Sequence, residues 1–459
     1  MPDRVTAADG TRARHPGAPG RMARVAVPDA PTPPDRTDAP AADALSAFRS
    51  LLTDEGGRLL AELREYDPAQ ELAVATRLRR DRPAALVTAA LGQARLRQRA
   101  VAKFGAEDAA RMYFTPNGLE QSTRTAVAAH RAERFAAHGV RGLADLCCGI
   151  GGDAIALARA GISVLAVDSD PLTCAVAQAN ATALGLGALI EVRCADVTDI
   201  DTHGFDAVFI DPARRGGRGR IFDPEAYAPP LSWAVATART APRAALKVAP
   251  GIPHEAVPED AEAEWISHAG DVKEAVLWFG GGQVDGDGTP DGGADGAPDG
   301  PRIRATLLPG GASLADTGLP DPPAGPVGRY LYEPDGAVIR AHLVAEVAAA
   351  VGGRLIDPTI AYVTGDALLP TPYATAYEIT DVLPFHLKRL RALLREREVG
   401  TLTVKKRGSA VEPEELRRRI KPRGPRSATV FLTRVDGAPS MLLGHPAAGS
   451  AGSAGSVSR

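Results

Sequence analysis

The feature that most restricts this chain is an alternation of two periodicities between residues 143 and 248. Five short apolar segments, Leu143–Cys147, Val164–Val167, Ile190–Arg193, Ala207–Ile210 and Ala244–Val248, are separated by longer stretches with helical spacing. Tight turns join only antiparallel strands, whereas a strand–helix–strand succession supplies the crossover that parallel strands need. The segment therefore predicts an α/β architecture, a parallel sheet with helices on both faces. Two further apolar segments, Val276–Phe279 and Ile303–Leu308, follow with no long helix between them, and a hairpin appended to one edge of the sheet is expected.

The flanks differ. Residues 1–42 are rich in Pro and charge and poor in large apolar side chains, too little to offset chain entropy, so a disordered tail is expected. Over 43–112, Leu45, Phe48, Leu51 and Leu52, then Leu59, Leu60 and Leu63, recur at helical spacing, and Pro83 opens a further helix carrying Leu86, Val87 and Leu91. A small helical domain is expected there. A turn at residues 113–122 leads into a long Ala-rich helix to about Ala137, and the α/β domain is expected to run over 113–308. Residues 280–301 are almost entirely Gly, Asp, Pro and Ala, a flexible insertion, and 309–328 reads as a linker. From 329 to 445 the pattern mixes helices (Arg340–Val351, Pro384–Arg397, Pro413–Ile420) with strands (Leu402–Lys406, Ala428–Leu432), an α+β domain followed by a Ser/Gly tail over 446–459.

Composition enters chiefly for what it excludes. The chain is 44% hydrophobic and 24% charged with a formal net charge of −3, the balance of a globular protein. No apolar run approaches the roughly 20 residues that span a bilayer, and the N-terminus lacks the apolar stretch of a secretory signal. A cytoplasmic location is expected. The cysteines Cys147, Cys148, Cys174 and Cys194 form no Cys-x-x-Cys pair and have no His nearby at ligand spacing. Buried thiols are expected, and no metal.

The first predicted strand runs into Asp145-Leu-Cys147-Cys-Gly149-Ile-Gly151-Gly152-Asp153. Glycines at a strand-to-helix turn let the backbone approach a ligand where a side chain would clash. Asp168 ends the next strand, nineteen residues after Gly149, the spacing at which a carboxylate can accept hydrogen bonds from both ribose hydroxyls of an adenosine. Asp170 before Pro171 reads as a helix cap. Asp196 closes the third strand, placed for an adenine amino group. Three successive strand ends thus converge on one crevice, as open α/β sheets require of an adenosine-cofactor site.

Asp145-x-Cys147-x-Gly149-x-Gly151-Gly152-Asp153, with Asp168 and Asp196 in register, resembles the class I S-adenosylmethionine-dependent methyltransferases, whose sheet is Rossmann-like; the resemblance spans 113–308. It implies a Gly149–Gly151 turn around the methionine moiety and Asp145 at the amino-acid end. The expected cofactor set is Asp145, Cys147, Gly149, Gly151, Asp168, Ser169, Asp196 and Val197. Dinucleotide sites more usually carry Gly-x-Gly-x-x-Gly, and residue 154 here is Ala. An oxidoreductase is the weakest alternative.

The fourth strand ends in Asp211-Pro212-Ala213-Arg214-Arg215. Methyltransferases acting on exocyclic or amide nitrogens carry Asp/Asn-Pro-Pro-aromatic there: an acceptor for the amino group, a fixed turn and a stacking ring. This chain keeps Asp211 and Pro212 without the ring, so Asp211 is the expected acceptor-orienting residue and Arg214 and Arg215 the expected substrate clamps. No cysteine follows Pro212, which argues against C5-cytosine chemistry. Lys247 ends the fifth strand on the substrate side; His203, His254 and His268 read as isolated surface or packing residues.

Between Pro384 and Arg434 stand 15 Lys/Arg against 5 Asp/Glu, with clusters at Lys405-Lys406-Arg407, Arg417-Arg418-Arg419 and Lys421-Pro422-Arg423, the electrostatic footprint of nucleic-acid binding. Thr401–Gly408, Glu414–Ile420 and the strand from Ala428 resemble the THUMP-like domain of a bacterial methyltransferase class with the same Asp-Pro-Ala-Arg turn. The resemblance implies an RNA partner, tRNA or rRNA. The alternatives are a protein or small-molecule methyltransferase and a non-catalytic RNA-binding protein that retains the fold.

Overall fold

The computed structural model describes residues 39–213, 215–216, 219–220, 224–280 and 302–448, with no side-chain description over 214–223. Arg214 and the Arg215 side chain, residues 1–38 and 449–459 of the expected tails and residues 281–301 of the expected insertion lie outside the described residues.

The chain starts with helices α1 (Ala39–Leu51), α2 (Asp54–Glu62), α3 (Glu71–Leu78) and α4 (Ala84–Arg111). Thr53 caps α2 by accepting the Gly56 amide, and Pro83 stands before α4, where its missing N–H costs no helical hydrogen bond. The helix expected up to Ala137 is α6 (Thr125–Ala137), and the expected turn before it holds a short helix, α5 (Pro116–Gln121), capped by Thr115. Lys103 donates to the carbonyls of Leu119, Glu120 and Ser122, which satisfies the C-terminal end of α5 and holds the break.

Strands β1 (Gly142–Leu146), β2 (Ser163–Asp168), β3 (Ile190–Cys194) and β4 (Ala207–Ile210) are joined through α7 (Gly152–Arg159), α8 (Pro171–Ala183) and a loop. After β4 a two-residue ladder pairs β5 (Arg215–Gly216) with β6 (Gly219–Arg220). Helix α9 (Leu231–Thr240) then leads to β7 (Ala244–Val248). Strands β1–β4 and β7 pair parallel, as the alternation predicts.

Beyond β7 the expectation needs correction. Val276–Phe279 belongs to β9 (Asp271–Phe279) and Ile303–Leu308 is β10, but they are not a hairpin. An unforeseen strand, β8 (Glu262–His268), lies between them, antiparallel to β9 and parallel to β10. Its sequence, Glu-Ala-Glu-Trp-Ile-Ser-His, reads as too charged for a central strand. It is accommodated because Glu262 and Glu264 meet Arg134, and Glu264 also meets His130. The hairpin partner of β10 is β11 (Ala312–Ala315), inside the stretch expected to be a linker. The nine-stranded order is β11-β10-β8-β9-β7-β4-β1-β2-β3.

The central strands are buried on both faces, which is why they read as continuous apolar runs. One face (Leu143, Val164, Ala166, Phe209, Ala245) packs with the N-terminal helices and α6–α8. The other (Leu146, Val167, Ile210, Leu246, Val248) is covered by α9 and by α10 (Gly336–Arg340) and α11 (Val344–Ala350), two helices where one was expected.

A second sheet comprises β12 (Tyr330–Pro334), β13 (Arg354–Leu355), β14 (Val363–Gly365), β15 (Ala374–Pro384), β16 (Val399–Lys406), β17 (Arg426–Val435) and β18 (Ala438–Pro446), ordered β13-β14-β12-β15-β18-β17-β16. Strand β18 extends the domain up to the expected tail. Helices α12 (Leu387–Glu396) and α13 (Pro413–Ile420) cover one face, with Leu390, Leu394, Leu416 and Ile420 packed on Leu402, Val404 and Leu432. Among the described residues no helix is long and apolar enough to cross a membrane.

Candidate functional site

Register brings the strand ends together. Leu146 of β1 lies opposite both Val167 of β2 and Ile210 of β4, and Asp168 lies opposite Cys194 of β3. The turn after β1 is left-handed at Cys147 (φ 67°), Gly149 (φ 57°) and Gly151 (φ 85°). Glycine adopts this conformation freely; Cys147 does so at a cost of about 1–3 kcal/mol, strain of the kind held where backbone must meet a ligand. Cys148 N–H donates to the Val167 carbonyl, and Gly149 N–H to Asp168 Oδ2 at 3.0 Å. Asp168 Oδ1 accepts from Asp170 N–H at 3.0 Å. Burial raises the Asp168 carboxyl above the ordinary range, against the pull of these amides.

Asp170 caps α8, accepting from Thr173 N–H at 2.8 Å. Asp196 accepts from Thr198 N–H and hydroxyl at 2.9 and 2.7 Å; it is exposed, and these bonds lower its carboxyl below the ordinary value. Ser169 is exposed and Val197 buried. The expected cofactor set is thus gathered at the C-terminal ends of β1–β3.

Asp145 is the anomaly. It is completely buried, and neither carboxylate oxygen has a hydrogen-bond partner. Burial, then the charges of Asp153 and Asp211, push its carboxyl well above the ordinary range. An unpartnered buried carboxyl beside a glycine turn that admits close approach suits a ligand carrying a cationic amino group, and a methionine ammonium fits that description.

Around Asp145 lies a buried charge network that sequence reading did not assemble. Arg131 is 1% exposed; its guanidinium reaches Asp153 at 2.8 Å and Glu274 at 2.6 Å and stacks 4.4 Å from the Phe209 ring centroid. Burial opposes the Arg131 charge, but the two carboxylates outweigh it and raise its pKa. Burial likewise opposes ionisation of Asp153, and Arg131, Lys247 and Thr123 overcome it, lowering the carboxyl. Lys247 donates to Asp211 Oδ2 at 2.6 Å and to Thr123 Oγ1 at 2.9 Å. Asp211 N–H donates to the Leu146 carbonyl at 3.1 Å, so the end of β4 stays locked to β1.

Segment 113–123 walls this network, clamped from two sides. Asn180 of α8 accepts from Tyr113 N–H at 2.6 Å and donates to the carbonyls of Tyr113 and Ile150; Gln93 of α4 exchanges two bonds with the Phe114 backbone. The N-terminal helices therefore hold Thr123 against the strand ends. A signal was present: a lone charge inside an apolar strand, such as Lys247 in Ala-Ala-Leu-Lys-Val, requires a buried partner. Sequence cannot say which. His254 is a packing residue, one of the two roles expected of it. Its ring stacks 3.8 Å from His342 and 4.8 Å from Trp265, fastening the loop after β7 to the end of α10.

The basic clusters separate. Alternation along β16 sends Lys405 and Lys406 to opposite faces. Lys405 pairs with Glu333 and lies 5.4 Å from the Tyr377 ring centroid, and Arg407 lies 4.9 Å from that of Tyr362. Lys406 pairs with Glu412, Arg419 with Glu415 and Arg417 with Glu414. Lys388, Arg389, Arg391 and Arg395 on α12, and Arg418 on α13, are exposed and make no ion pair among the described residues. The two helices lie on the same sheet face. All four cysteines are free thiols; Cys194 is exposed, unlike the buried position expected.

Three family profiles match the chain: a methyltransferase domain over 143–213, a THUMP domain-like family over 374–446 and a domain of unknown function over 43–100. The chain is 36% identical over 348 residues to an uncharacterized S-adenosylmethionine-dependent methyltransferase of Mycobacterium tuberculosis, found in strains CDC 1551 and H37Rv, covering 74% of this chain and 90% of the relative. Among solved structures, that of a proposed methyltransferase from Porphyromonas gingivalis W83 superimposes with a TM-score of 0.64 at 21% identity, covering 83% of this chain and 99% of the other. That likeness concerns the fold alone.

Proposed function

From the premise that the chain belongs to the S-adenosylmethionine-dependent methyltransferases, we propose that it methylates a nitrogen of a structured RNA, tRNA or rRNA. The observation that carries this is the unpaired cationic layer of α12 and Arg418, which lies within the region matching the THUMP-like profile. A run of exposed cations left without internal carboxylates is suited to phosphate backbone, which binds by charge and positions the substrate.

In this reading the Gly149–Gly151 turn and Asp145 receive the methionine end of the cofactor, Asp168 and Ser169 the ribose, and Asp196 and Val197 the adenine. When bound, S-adenosylmethionine supplies an electrophilic methyl that passes to the acceptor nitrogen while sulfur keeps the bonding pair. Asp211 accepts a hydrogen bond from the acceptor N–H, which aligns the nitrogen lone pair; the proton leaves to water after transfer. Arg214 and Arg215 clamp the substrate beside it. Positioning of this kind supplies most of the rate in a simple displacement.

The test is transfer of labelled methyl to total RNA and, separately, to total protein from a host lacking the gene. Label in RNA is expected, with loss of transfer but retained cofactor binding in Asp211→Asn. Full activity in that variant would remove Asp211 from the site. Label in protein alone would move the substrate class, and cofactor binding without transfer to either would leave a small-molecule acceptor or a non-catalytic RNA binder.

A further inference from the structure

We propose that Lys247 is a positioning residue for methyl transfer, holding the Asp211 carboxylate in one pose with Thr123 as its second anchor. The inference rests on Asp211 being the acceptor-orienting residue.

Lys247 stands at the end of β7, next to β4 in the sheet, and its side chain is only 4% exposed. An ammonium so placed must satisfy its three donors inside the protein. Two are accounted for by Asp211 Oδ2 and Thr123 Oγ1. The lysine stays charged in spite of its burial because Asp211, Glu274 and Asp153 surround it.

The asymmetry of the pair is what points to function. Lys247 is sealed in, whereas the Asp211 side chain is 24% exposed and opens on the crevice at the strand ends. A carboxylate following a strand and preceding a proline has its backbone fixed by the Leu146 bond and the Pro212 ring, yet it remains free to rotate about its side-chain torsions. Anchoring Oδ2 on a buried ammonium removes that freedom and leaves Oδ1 to take the acceptor N–H.

Thr123 extends the device. Its hydroxyl accepts the second hydrogen bond of the ammonium, and it belongs to the segment that Lys103, Asn180 and Gln93 clamp. The N-terminal helices therefore reach the reacting position through three links: segment 113–123, Lys247 and Asp211.

The experiment compares wild type with Lys247→Met, Thr123→Val, Asp211→Asn and the double variant Asp211→Asn/Lys247→Met. Each is measured for cofactor affinity by calorimetry and for the rate of label transfer to total RNA at saturating cofactor. Lys247→Met should lose about 100-fold in rate, the scale of a small misplacement of a reacting group, and Thr123→Val about tenfold, with cofactor affinity within threefold. Adding Lys247→Met to Asp211→Asn should cost nothing further, because the lysine acts through a carboxylate already removed. A structural lysine would give an additional loss. If Lys247→Met fails to fold, Thr123→Val decides. Wild-type rates in Thr123→Val and in a folded Lys247→Met, with Asp211→Asn inactive, overturn the inference and leave the Asp211 reading intact; an active Asp211→Asn removes both. Should total RNA take no label from wild type, crystal structures of wild type and Thr123→Val decide: an unmoved Asp211 carboxylate in the variant overturns the inference, a rotated one supports it.

Discussion

The buried carboxyl of Asp145 makes a quantitative prediction about cofactor binding. In the free protein its oxygens have no partners, and burial with the neighbouring Asp153 and Asp211 charges raises it well above the ordinary aspartate range. Burial therefore favours the protonated form in the free site. A cationic amino group placed against it favours the ionised form, so binding releases that proton. Affinity then rises with pH by up to tenfold per unit, about 1.4 kcal/mol, between the carboxyl's value in the complex and its value in the free protein. At most one proton is involved. Asp145→Asn cannot ionise and should bind weakly with that component of the pH dependence gone; the ligand's own amine titrates in both proteins, so their difference isolates Asp145.

The same group has an opposite signature in stability. Its folded pKa lies above the unfolded one, so the folded chain keeps a proton that the unfolded chain gives up. No penalty exists below the unfolded value; above it stability is lost by about 1.4 kcal/mol per pH unit until the folded value is passed. Free Asp145→Asn should accordingly melt above wild type near neutral pH. Calorimetry at successive pH values above the unfolded carboxyl's range, in two buffers of different ionisation enthalpy, measures the proton directly. Equal proton release and equal pH slopes in wild type and variant would refute the reasoning.

Other expectations are simpler. Arg131→Met strands Asp153 and Glu274 in the interior and should cost about 3–5 kcal/mol in urea denaturation; a loss below about 1 kcal/mol would count against the network, and Glu274→Gln added to it should recover part. Asp168→Asn disturbs the carboxylate that accepts from Gly149 and Asp170 and should weaken cofactor binding at least tenfold; binding within threefold of wild type would exclude its role. Neutralising Lys388, Arg389, Arg391 and Arg395 together should reduce the slope of log RNA affinity against log salt by about three. Lys405→Met, which removes the Glu333 pair, should lower the melting temperature with little change in that slope; the reverse pattern would return the RNA surface to β16.

The parts legible in the sequence are those that neighbouring residues settle. Apolar runs gave β1–β4 and β7 with their parallel pairing, and local caps gave α8 and α13, because Asp170-Pro171 and Pro413 act within one turn. The glycine turn and Asp168 were readable for a related reason, since each closes a strand in a regular sheet. Strand β8 was not: Glu262 and Glu264 look like surface residues until Arg134 and His130, more than a hundred residues earlier, are brought beside them.

The sequence by itself determined the parallel sheet, the glycine turn and the positions of Asp145, Asp168, Asp196 and Asp211 at strand ends, since strand period and turn chemistry operate over a few residues. Tertiary structure alone decided which charges are sealed inside and which face water. Lys405 and Arg395 are both basic residues of the C-terminal region; one is paired with Glu333 and the other is exposed on α12. Lys247 reads as a charge in a strand until Thr123 and Asp211 close around it. The physical reason is that the cost of burying a charge depends on partners drawn from distant parts of the chain, and no local pattern encodes their arrival.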